Sequence, residues 1–284
     1  MDVGRADTDL GALDEETARR FVEPSGEAFR RLVAVMARLR APNGCPWDRE
    51  QTHSTLARHL LEETYEVLEA IDEGDLDGLR EELGDLVIQI VFHSNIAFEE
   101  GAFTIADVLD DLRAKLVRRH PHVFGDVEVS GAEEVKANWE RIKREEKGTG
   151  LYEGLPKSLP ALARAAKLVR RGGDVGFPPG WDRQGTIFDG LAEEIEELRA
   201  ELSASTRDAV RVEEEFGDLL LVAVALANNA GVDPESALRR TLQRVEARMA
   251  AVERRVIAEG RSIESLSASD WARYWDEAKQ ETTR

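Results

Sequence analysis

Cysteine is almost absent from this chain of 284 residues, since Cys45 is the only one. An internal disulfide framework and a thiolate zinc cluster are therefore excluded. Long hydrophobic runs are also missing. The longest, residues 219–227, is less than half of the roughly 20 residues that span a bilayer, and no early apolar stretch resembles a signal peptide. We therefore expect a soluble, cytoplasmic protein with no membrane partner.

Basic residues are scarce relative to acidic ones: 38 lysines and arginines stand against 57 aspartates and glutamates, for a formal charge of −19. A surface this acidic repels the phosphates of DNA and RNA, so we expect no nucleic-acid partner. A Gly-rich phosphate loop of the GxxxxGK[ST] form is missing as well. A small phosphorylated substrate stays compatible with this composition where metal ions and a few basic side chains reverse the local charge.

Sustained alternation of apolar and polar residues, the signature of strands, does not occur, whereas helical spacing recurs along the whole chain. One predicted helical face carries Phe29, Leu32, Val33, Met36 and Leu39. Another helix is predicted to begin at Thr104, whose hydroxyl suits an N-cap, with Asp107 in its first turn. The sequence therefore predicts an all-α fold.

An acidic motif occurs twice, as EExxE followed by ExxD. The first copy occupies residues 62–66 and 82–85, and the second occupies residues 193–197 and 215–218. In a helix, residues three or four apart share a face, so each motif aims its carboxylates one way. Two such helices packed antiparallel would bring four carboxylates together, an arrangement that Mg²⁺ favours and that serves in cutting phosphate bonds.

A lone EExxE is usually just a solvated helix face, and this simpler interpretation has to be weighed. The surroundings of the motif argue against it. Glu82 and Asp85 lie in a helix with apolar residues at most positions from 83 to 91, and residues 219–227 follow Asp218 directly. Carboxylates this close to a core face are costly unless a cation neutralises them. The sequence therefore favours metal binding.

Other landmarks recur in the same order in both halves. A Trp-Asp loop precedes each EExxE helix, at residues 44–48 and 176–182, and each half ends with Trp-x-x-x-Lys, at residues 139–143 and 275–279. Several independent landmarks in one order indicate an internal duplication.

The duplication and a Gly/Pro-rich stretch between the two copies predict the domain organisation. We expect a loose N-terminal extension over residues 1–25 and a first domain over 26–147. A linker over 148–158 then leads to a second domain over 159–284.

Basic side chains lie downstream of each acidic motif. Lys115 and Arg119 are four residues apart on one predicted helix, and so are Arg244 and Arg248. Either pair suits the oxygens of a polyphosphate. The simpler alternative is surface pairing with nearby acids such as Glu246.

The two Trp-x-x-x-Lys pairs offer an aromatic face and an ammonium group. Trp139 with Lys143, and Trp275 with Lys279, suit a nucleobase and a phosphate respectively. A tryptophan at the end of a domain is more often a core residue, so this role is weak when taken alone.

Taken together, the motifs resemble those of the MazG-type nucleoside triphosphate pyrophosphohydrolases, from about Glu27 to the end of the chain. Besides the EExxE and ExxD pairs, the resemblance rests on residues 44–48, 91–93, 118–125, 175–177 and 213–218. It implies two tandem MazG-like helical domains, each contributing to four-helix-bundle packing that is completed in a homodimer. It also implies Mg²⁺-dependent hydrolysis of ribo- or deoxynucleoside triphosphates between the α and β phosphates, with Mn²⁺ as a substitute cofactor and nucleotide-pool house-cleaning as the purpose.

The resemblance assigns roles to individual residues by position. The implied metal ligands are Glu63, Glu66, Glu82 and Asp85 in the first half, and Glu194, Glu197, Glu215 and Asp218 in the second. The implied phosphate contacts of the second half are Arg211, Arg244, Arg248 and Lys279, with Trp275 at the nucleoside. Their counterparts beside the first-half ligands are Lys115, Arg119, Trp139 and Lys143. Glu193 is a candidate proton acceptor, so the predicted catalytic set is Glu193, Glu194, Glu197, Glu215 and Asp218.

The two halves are not identical, and the function has alternatives. Arg211 precedes Glu215 by four residues, whereas Gly78 stands at the equivalent place before Glu82. This difference favours the second domain as the catalyst and leaves an active first domain open. One alternative is an all-α pyrophosphatase narrowed to dUTP or dCTP. The other is a non-catalytic, cation-binding helical module that recruits a partner.

Overall fold

A computed structural model describes residues 15–147, 150, 154–173, 175–179, 181 and 184–281. Every regular element in these ranges is helical, which confirms the all-α prediction. The chain divides into two compact units, Met1–Lys147 and Gly148–Arg284. The predicted domain limits stay predictions, and residues 148, 149 and 151–153 of the predicted linker lie outside the described residues.

The first unit contains eight α-helices among its described residues. They are α1 (Glu15–Thr17), α2 (Glu23–Arg40), α3 (Pro46–Glu50), α4 (His53–Glu73), α5 (Leu76–Glu99), α6 (Ile105–Arg119), α7 (Pro121–Phe124) and α8 (Ala132–Lys147). A π-helical stretch, Ala18–Val22, joins α1 to α2.

The second unit contains five α-helices and one 3₁₀ turn among its described residues. They are α9 (Ala161–Gly173), α10 (Gln184–Ser203), α11 (Ala209–Asn229), α12 (Pro234–Ala258), the 3₁₀ turn Ile263–Ser265, and α13 (Ala268–Glu281).

The described part of the predicted N-terminal extension, residues 15–25, is helical. An ion pair between Arg20 and Glu16 at 2.7 Å spans one helical turn, and Pro24 falls at the start of α2, where its missing N–H costs nothing. Phe21 is 72% exposed. The helix here is therefore stabilised by local contacts and not by packing.

The turn between α4 and α5 makes these two helices antiparallel neighbours. Gly74 ends α4 with a left-handed φ of 71°, and the N–H of Asp75 donates to the carbonyl of Ala70 at 3.0 Å, which closes the helix end. The Asp75 side chain then accepts from the N–H of Asp77 and begins α5. Two residues therefore reverse the chain, and the two acid-bearing helices of the first unit lie side by side.

The core of the first unit lies under this helix pair. Its buried members are Met36 from α2, Leu56 from α4, and Val91, Phe92 and Ile96 from α5. Because α5 is apolar along most of its second half, burying this half anchors the helix and sets the position of its first half, where the acids are. The predicted N-cap of α6 is confirmed, since Thr104 and Asp107 form a reciprocal capping box.

The second unit has a comparable arrangement. Asp208 caps α11 through the N–H of Val210, and the core is formed by Ala166 and Val169 of α9, Ile187 of α10, and Val222, Val224 and Ala225 of α11. A separate cluster joins α12 to α13 through Val252, Val256 and the fully buried Tyr274. The acidic ends of α10 and α11 are thus held by the packing of their apolar ends.

Membrane-spanning potential is low in the part of the chain that the structure describes. No single helix there has both the length and the hydropathy for a span. The helices α11 and α12 reach the length and hydropathy of a membrane span only when they are taken together, and this pair is bent by 101°.

Candidate active site

The first acidic cluster forms where α4 faces the beginning of α5. Carboxylate oxygens of Glu63, Glu66 and Glu82 lie within 4.8 Å of one another. Glu63 and Glu66 share a face of α4, and Glu82 reaches them from α5 because the two helices are antiparallel. Three of the four predicted first-half ligands therefore converge.

Asp85, the fourth predicted ligand, is close enough to act on this cluster through its charge. Burial raises the pKa of Glu63, and the charges of Glu66, Asp85 and Glu82 raise it further. The pKa of Glu82 is raised by the same kind of cause, first by burial and then by Glu66 and Asp85. The carboxylates repel one another at short range, which a divalent cation would relieve.

The second acidic cluster forms in the same way between α10 and α11. Carboxylate oxygens of Glu194, Glu215 and Asp218 lie within 4.8 Å of one another. Burial raises the pKa of Glu194, and then Asp218, Glu197 and Glu215 raise it through their charges. Glu197 thus acts on the cluster electrostatically, although it lies outside the closest trio.

Arg211 distinguishes the second cluster from the first. The pKa of Glu215 is raised by burial and then by Glu197 and Asp218, but the charge of Arg211 lowers it. The Arg211 side chain pairs with Glu201 of α10 at 3.0 Å, so it bridges the two acid-bearing helices. In the first unit, a side chain at Gly78 would begin 2.6 Å from the carboxylate of Asp75. The first copy therefore has no cation at this position, and a side chain there would require the Asp75 carboxylate to move.

Glu193, the predicted proton acceptor, is exposed on α10 beside the second cluster. Its charge contributes to the raised pKa of Glu194 as the smallest of the five causes. It therefore lies at the edge of the cluster, where solvent reaches it.

The predicted cationic residues of the first unit lie on α6 and α8. The guanidinium of Arg119 lies 5.4 Å from the centre of the Trp139 ring, so these two helices do bring two predicted residues together. Lys143 pairs with Glu140 at 3.2 Å on its own helix. Lys115 is half-buried on α6, one turn before Arg119.

The second unit repeats the pairing of arginine and tryptophan. The guanidinium of Arg248 on α12 lies 6.0 Å from the centre of the Trp275 ring on α13. Lys279 pairs with Asp276 at 2.5 Å, and Arg244 donates to the hydroxyl of Thr241 at 3.0 Å. In both copies, therefore, an arginine guanidinium lies over a tryptophan ring.

Sequence reasoning missed several acidic side chains that contact predicted site residues, among them Glu201 and Glu146. Glu201 pairs with Arg211, and its place four residues after Glu197 on one helical face was a signal that could have revealed it. Glu146 of α8 binds both Arg118 and Arg119. No short-range pattern indicates this contact, because residues 118 and 146 lie on different helices.

Comparison with known proteins gives two regions of similarity to one family model. The model of the MazG nucleotide pyrophosphohydrolase domain matches residues 51–124 and again residues 183–252. Each match includes one acidic cluster, so the duplication inferred from the sequence is supported independently.

Curated relatives match over most of the chain. The nucleoside triphosphate pyrophosphohydrolase of Escherichia coli (strain K12) is 43% identical over 256 residues, which cover 88% of this chain and 97% of that protein. A Thermotoga maritima protein named nucleoside triphosphate pyrophosphohydrolase/pyrophosphatase MazG is 41% identical over 261 residues, covering 91% and 98%. The uncharacterized protein YabN of Bacillus subtilis is 41% identical over 259 residues, with 90% of this chain and 52% of that protein covered.

Proposed function

The chain belongs to the MazG nucleotide pyrophosphohydrolase family and is a nucleoside triphosphate pyrophosphohydrolase, and we propose that it cleaves ribo- and deoxynucleoside triphosphates between the α and β phosphates with Mg²⁺ as cofactor. The observation that carries this proposal is the convergence of three carboxylates within 4.8 Å in each unit. Every donor in both trios is a carboxylate oxygen, the ligand type that hard divalent cations prefer. Both acidic clusters therefore fit Mg²⁺, and Mn²⁺ as its substitute.

The metal's contribution would be to neutralise phosphate charge and to acidify water. Glu194, Glu197, Glu215 and Asp218 would hold it in the second unit, and Glu63, Glu66, Glu82 and Asp85 would hold it in the first. The raised pKa values of Glu194 and Glu215 support this role, because burial and then the charges of neighbouring carboxylates raise both, and a divalent cation would offset these charges.

The remaining residues would act on substrate and water. A water oxygen bonds to the α phosphorus while the bond from that phosphorus to the bridging oxygen breaks. The products are a nucleoside monophosphate and pyrophosphate. Glu193 would accept the proton that the water loses. The negative charge on the departing pyrophosphate would be met by Arg211, Arg244, Arg248 and Lys279, while Trp275 would lie against the nucleoside.

We assign catalysis to the second unit. The charge of Arg211 acts on the acidic cluster there, whereas Gly78 stands at the equivalent place in the first unit. Lys115, Arg119, Trp139 and Lys143 would contact nucleotide in the first unit, which then serves binding or regulation. The cellular purpose proposed is house-cleaning of nucleotide pools.

We also propose that the protein works as a homodimer. Four apolar side chains on α12, at spacings of four, three and four residues, are exposed: Leu238 at 47%, Leu242 at 52%, Val245 at 36% and Met249 at 44%. This stripe continues the buried positions Val252 and Val256 of the same helix face. We expect a second copy of the chain to cover this stripe, because the family resemblance implies a homodimer.

Release of pyrophosphate from a panel of nucleoside triphosphates with Mg²⁺ tests the proposed reaction. Glu215→Gln and Asp218→Asn should lower the release by about two orders of magnitude or more. The matched control is Glu213→Gln, an exposed acid two residues from Glu215 that faces away from the cluster. Unchanged activity in both cluster variants would refute the assignment. Activity confined to dUTP or dCTP would favour the narrow-specificity alternative.

A further inference from the structure

Helices α6 and α8 of the first unit meet through three charged side chains. Glu146 accepts from the Nε of Arg118 at 2.5 Å through one carboxylate oxygen. Through the other oxygen it accepts from the Nε of Arg119 at 2.9 Å and from a terminal nitrogen of Arg119 at 2.5 Å. Both oxygens of one carboxylate are thus held by two converging guanidinium groups.

Two of the three side chains are largely withdrawn from solvent. The side chain of Arg119 is 10% exposed and that of Glu146 is 19% exposed, while Arg118 remains 55% exposed. The face of Arg119 is covered by the Trp139 ring at 5.4 Å. Hydrogen bonds from Arg119 and then Arg118 lower the pKa of Glu146 to about 2. Glu146 is therefore a fully charged anion at any physiological pH.

The geometry around Glu146 is that of an anion-binding site. Two guanidinium groups that present parallel N–H donors bind carboxylate and phosphate oxygens in the same manner. The place that Glu146 occupies therefore suits a phosphate group equally well. Two positive charges face one negative charge there, so a more highly charged anion has a stronger electrostatic attraction to the pair.

The second copy of the domain does not repeat this arrangement in its sequence. Aligning Trp139 and Lys143 with Trp275 and Lys279 places Thr282 at the position of Glu146. Aligning Arg119 with Arg248 places Ala247 at the position of Arg118. The acidic occupant and one of its two arginines therefore belong to the first copy alone. The structure of Thr282 lies outside the described residues.

We propose that Glu146 is a built-in competitor for an anion site on Arg118 and Arg119, so that the phosphates of a nucleotide enter the first unit only by displacing it. The ligand class is a di- or triphosphate, and in this respect the proposal rests on the proposed function. Glu146 then keeps the first unit closed to phosphate at low nucleotide concentration. In the sequence of the second unit, the position equivalent to Glu146 is Thr282, which has no carboxylate.

The test is a calorimetric titration of inorganic pyrophosphate into the full chain in EDTA, which removes divalent ions from both acidic clusters. Glu146→Gln should bind pyrophosphate at the site of Arg118 and Arg119 about tenfold more tightly than the wild type does, because the competing carboxylate is lost. Adding Arg118→Ala to this variant should abolish the gain. The second unit contributes the same background binding throughout.

Glu145→Gln is the matched control, since Glu145 is the adjacent acid on α8 and pairs with the exposed Arg141 at 2.9 Å. It should bind pyrophosphate as the wild type does. Glu146→Thr, which copies the residue of the second half, provides a second variant, and circular dichroism checks that each variant is folded.

Equal affinity in the wild type and Glu146→Gln would overturn the proposal, and so would a gain that survives Arg118→Ala. Unfolding of both Glu146 variants would also overturn it, because an interaction that the fold cannot lose is not a displaceable occupant. The titration involves no turnover. A negative titration would not contradict pyrophosphate release by the second unit, and a lack of pyrophosphate release would not contradict this binding result.

Discussion

The Nδ1 atoms of His53 and His93 lie 2.7 Å apart, and their ring planes differ by 3°. One nitrogen must donate and the other accept, so at least one of the two rings keeps an unprotonated Nδ1. His53 begins α4 and His93 lies in α5, so this bond joins the two helices that carry the first acidic cluster. The pair also lies near Glu100, whose carboxylate is 3.8 Å from the Nε2 of His53.

Acidification should therefore weaken the first unit through His93. Burial lowers the pKa of His93, and the charge of His53 lowers it further. The unfolded chain then takes up the proton first as the pH falls. The stability contributed by a neutral His93 is present above about pH 6.5 and is lost as the pH falls through the folded-state value. Urea unfolding at pH 7.5 and pH 5.5 measures this loss, which should be smaller in His93→Gln than in the wild type. His122→Gln is the control, and an equal loss in all three proteins would contradict the prediction.

The acidic clusters should have the opposite dependence on pH when no metal is bound. The pKa values of Glu63, Glu82, Glu194 and Glu215 are all raised, with burial as the first cause. The folded chain then holds these protons more tightly than the unfolded chain does. The stability that these groups contribute is present below about pH 4.5 and is lost as the pH rises through their folded-state values.

Mg²⁺ should restore this stability at neutral pH. A ligand at 100 times its Kd adds about 2.7 kcal/mol to the free energy of unfolding. Thermal melts in EDTA and in Mg²⁺ measure the effect, and Glu215→Gln should reduce the shift while Glu213→Gln preserves it. If Mg²⁺ raises the melting temperature equally in both variants, Glu215 is not a metal ligand.

Arg211 should set the acid limb of the activity profile. Its charge lowers the pKa of Glu215, and Glu201 opposes this effect. In Arg211→Ala the pKa of Glu215 should rise, so pyrophosphate release should begin at a higher pH than in the wild type. The pH–rate profile of kcat/KM measures this shift. Arg199→Ala is the control, because Arg199 is exposed and pairs with Glu196 on its own helix. A profile that does not move would exclude a role for Arg211 in tuning Glu215.

Gly44 should be intolerant of any side chain. A Cβ at this position would lie 2.0 Å from the carbonyl oxygen of Leu39, a backbone atom that cannot move without disrupting the end of α2. Gly44→Ala should cost about 1–3 kcal/mol of unfolding free energy, as overpacking does elsewhere.

Gly26 provides the matched substitution, since it lies within α2 and a Cβ there meets nothing within 4 Å. Gly26→Ala should stabilise the protein by up to about 1 kcal/mol through helix propensity. Chemical denaturation of both variants measures the contrast, and a neutral Gly44→Ala would show that the loop before α3 can rearrange.

Much of the fold followed from short-range sequence features. The helical period of α5 and α11, the capping box at Thr104 and the glycine after α4 are local, because hydrogen bonds within one or two turns decide them. The repeated EExxE and ExxD motifs likewise predicted two carboxylate groups on facing helices. The structure does bring Glu63 near Glu82 and Glu194 near Glu215.

The sequence by itself determined that this protein is helical, that it is duplicated and that each copy carries an EExxE and an ExxD motif on successive helices, since these properties depend on residues close together in the chain. Only the tertiary structure decided that Glu66 belongs to the closest trio of the first unit, whereas its counterpart Glu197 lies outside that of the second. The tertiary structure also decided that Glu146 pairs with Arg118 and Arg119. Such contacts depend on how helices far apart in sequence pack on a shared core. A shift of one residue in that packing would rotate each side chain by about 100° around its helix.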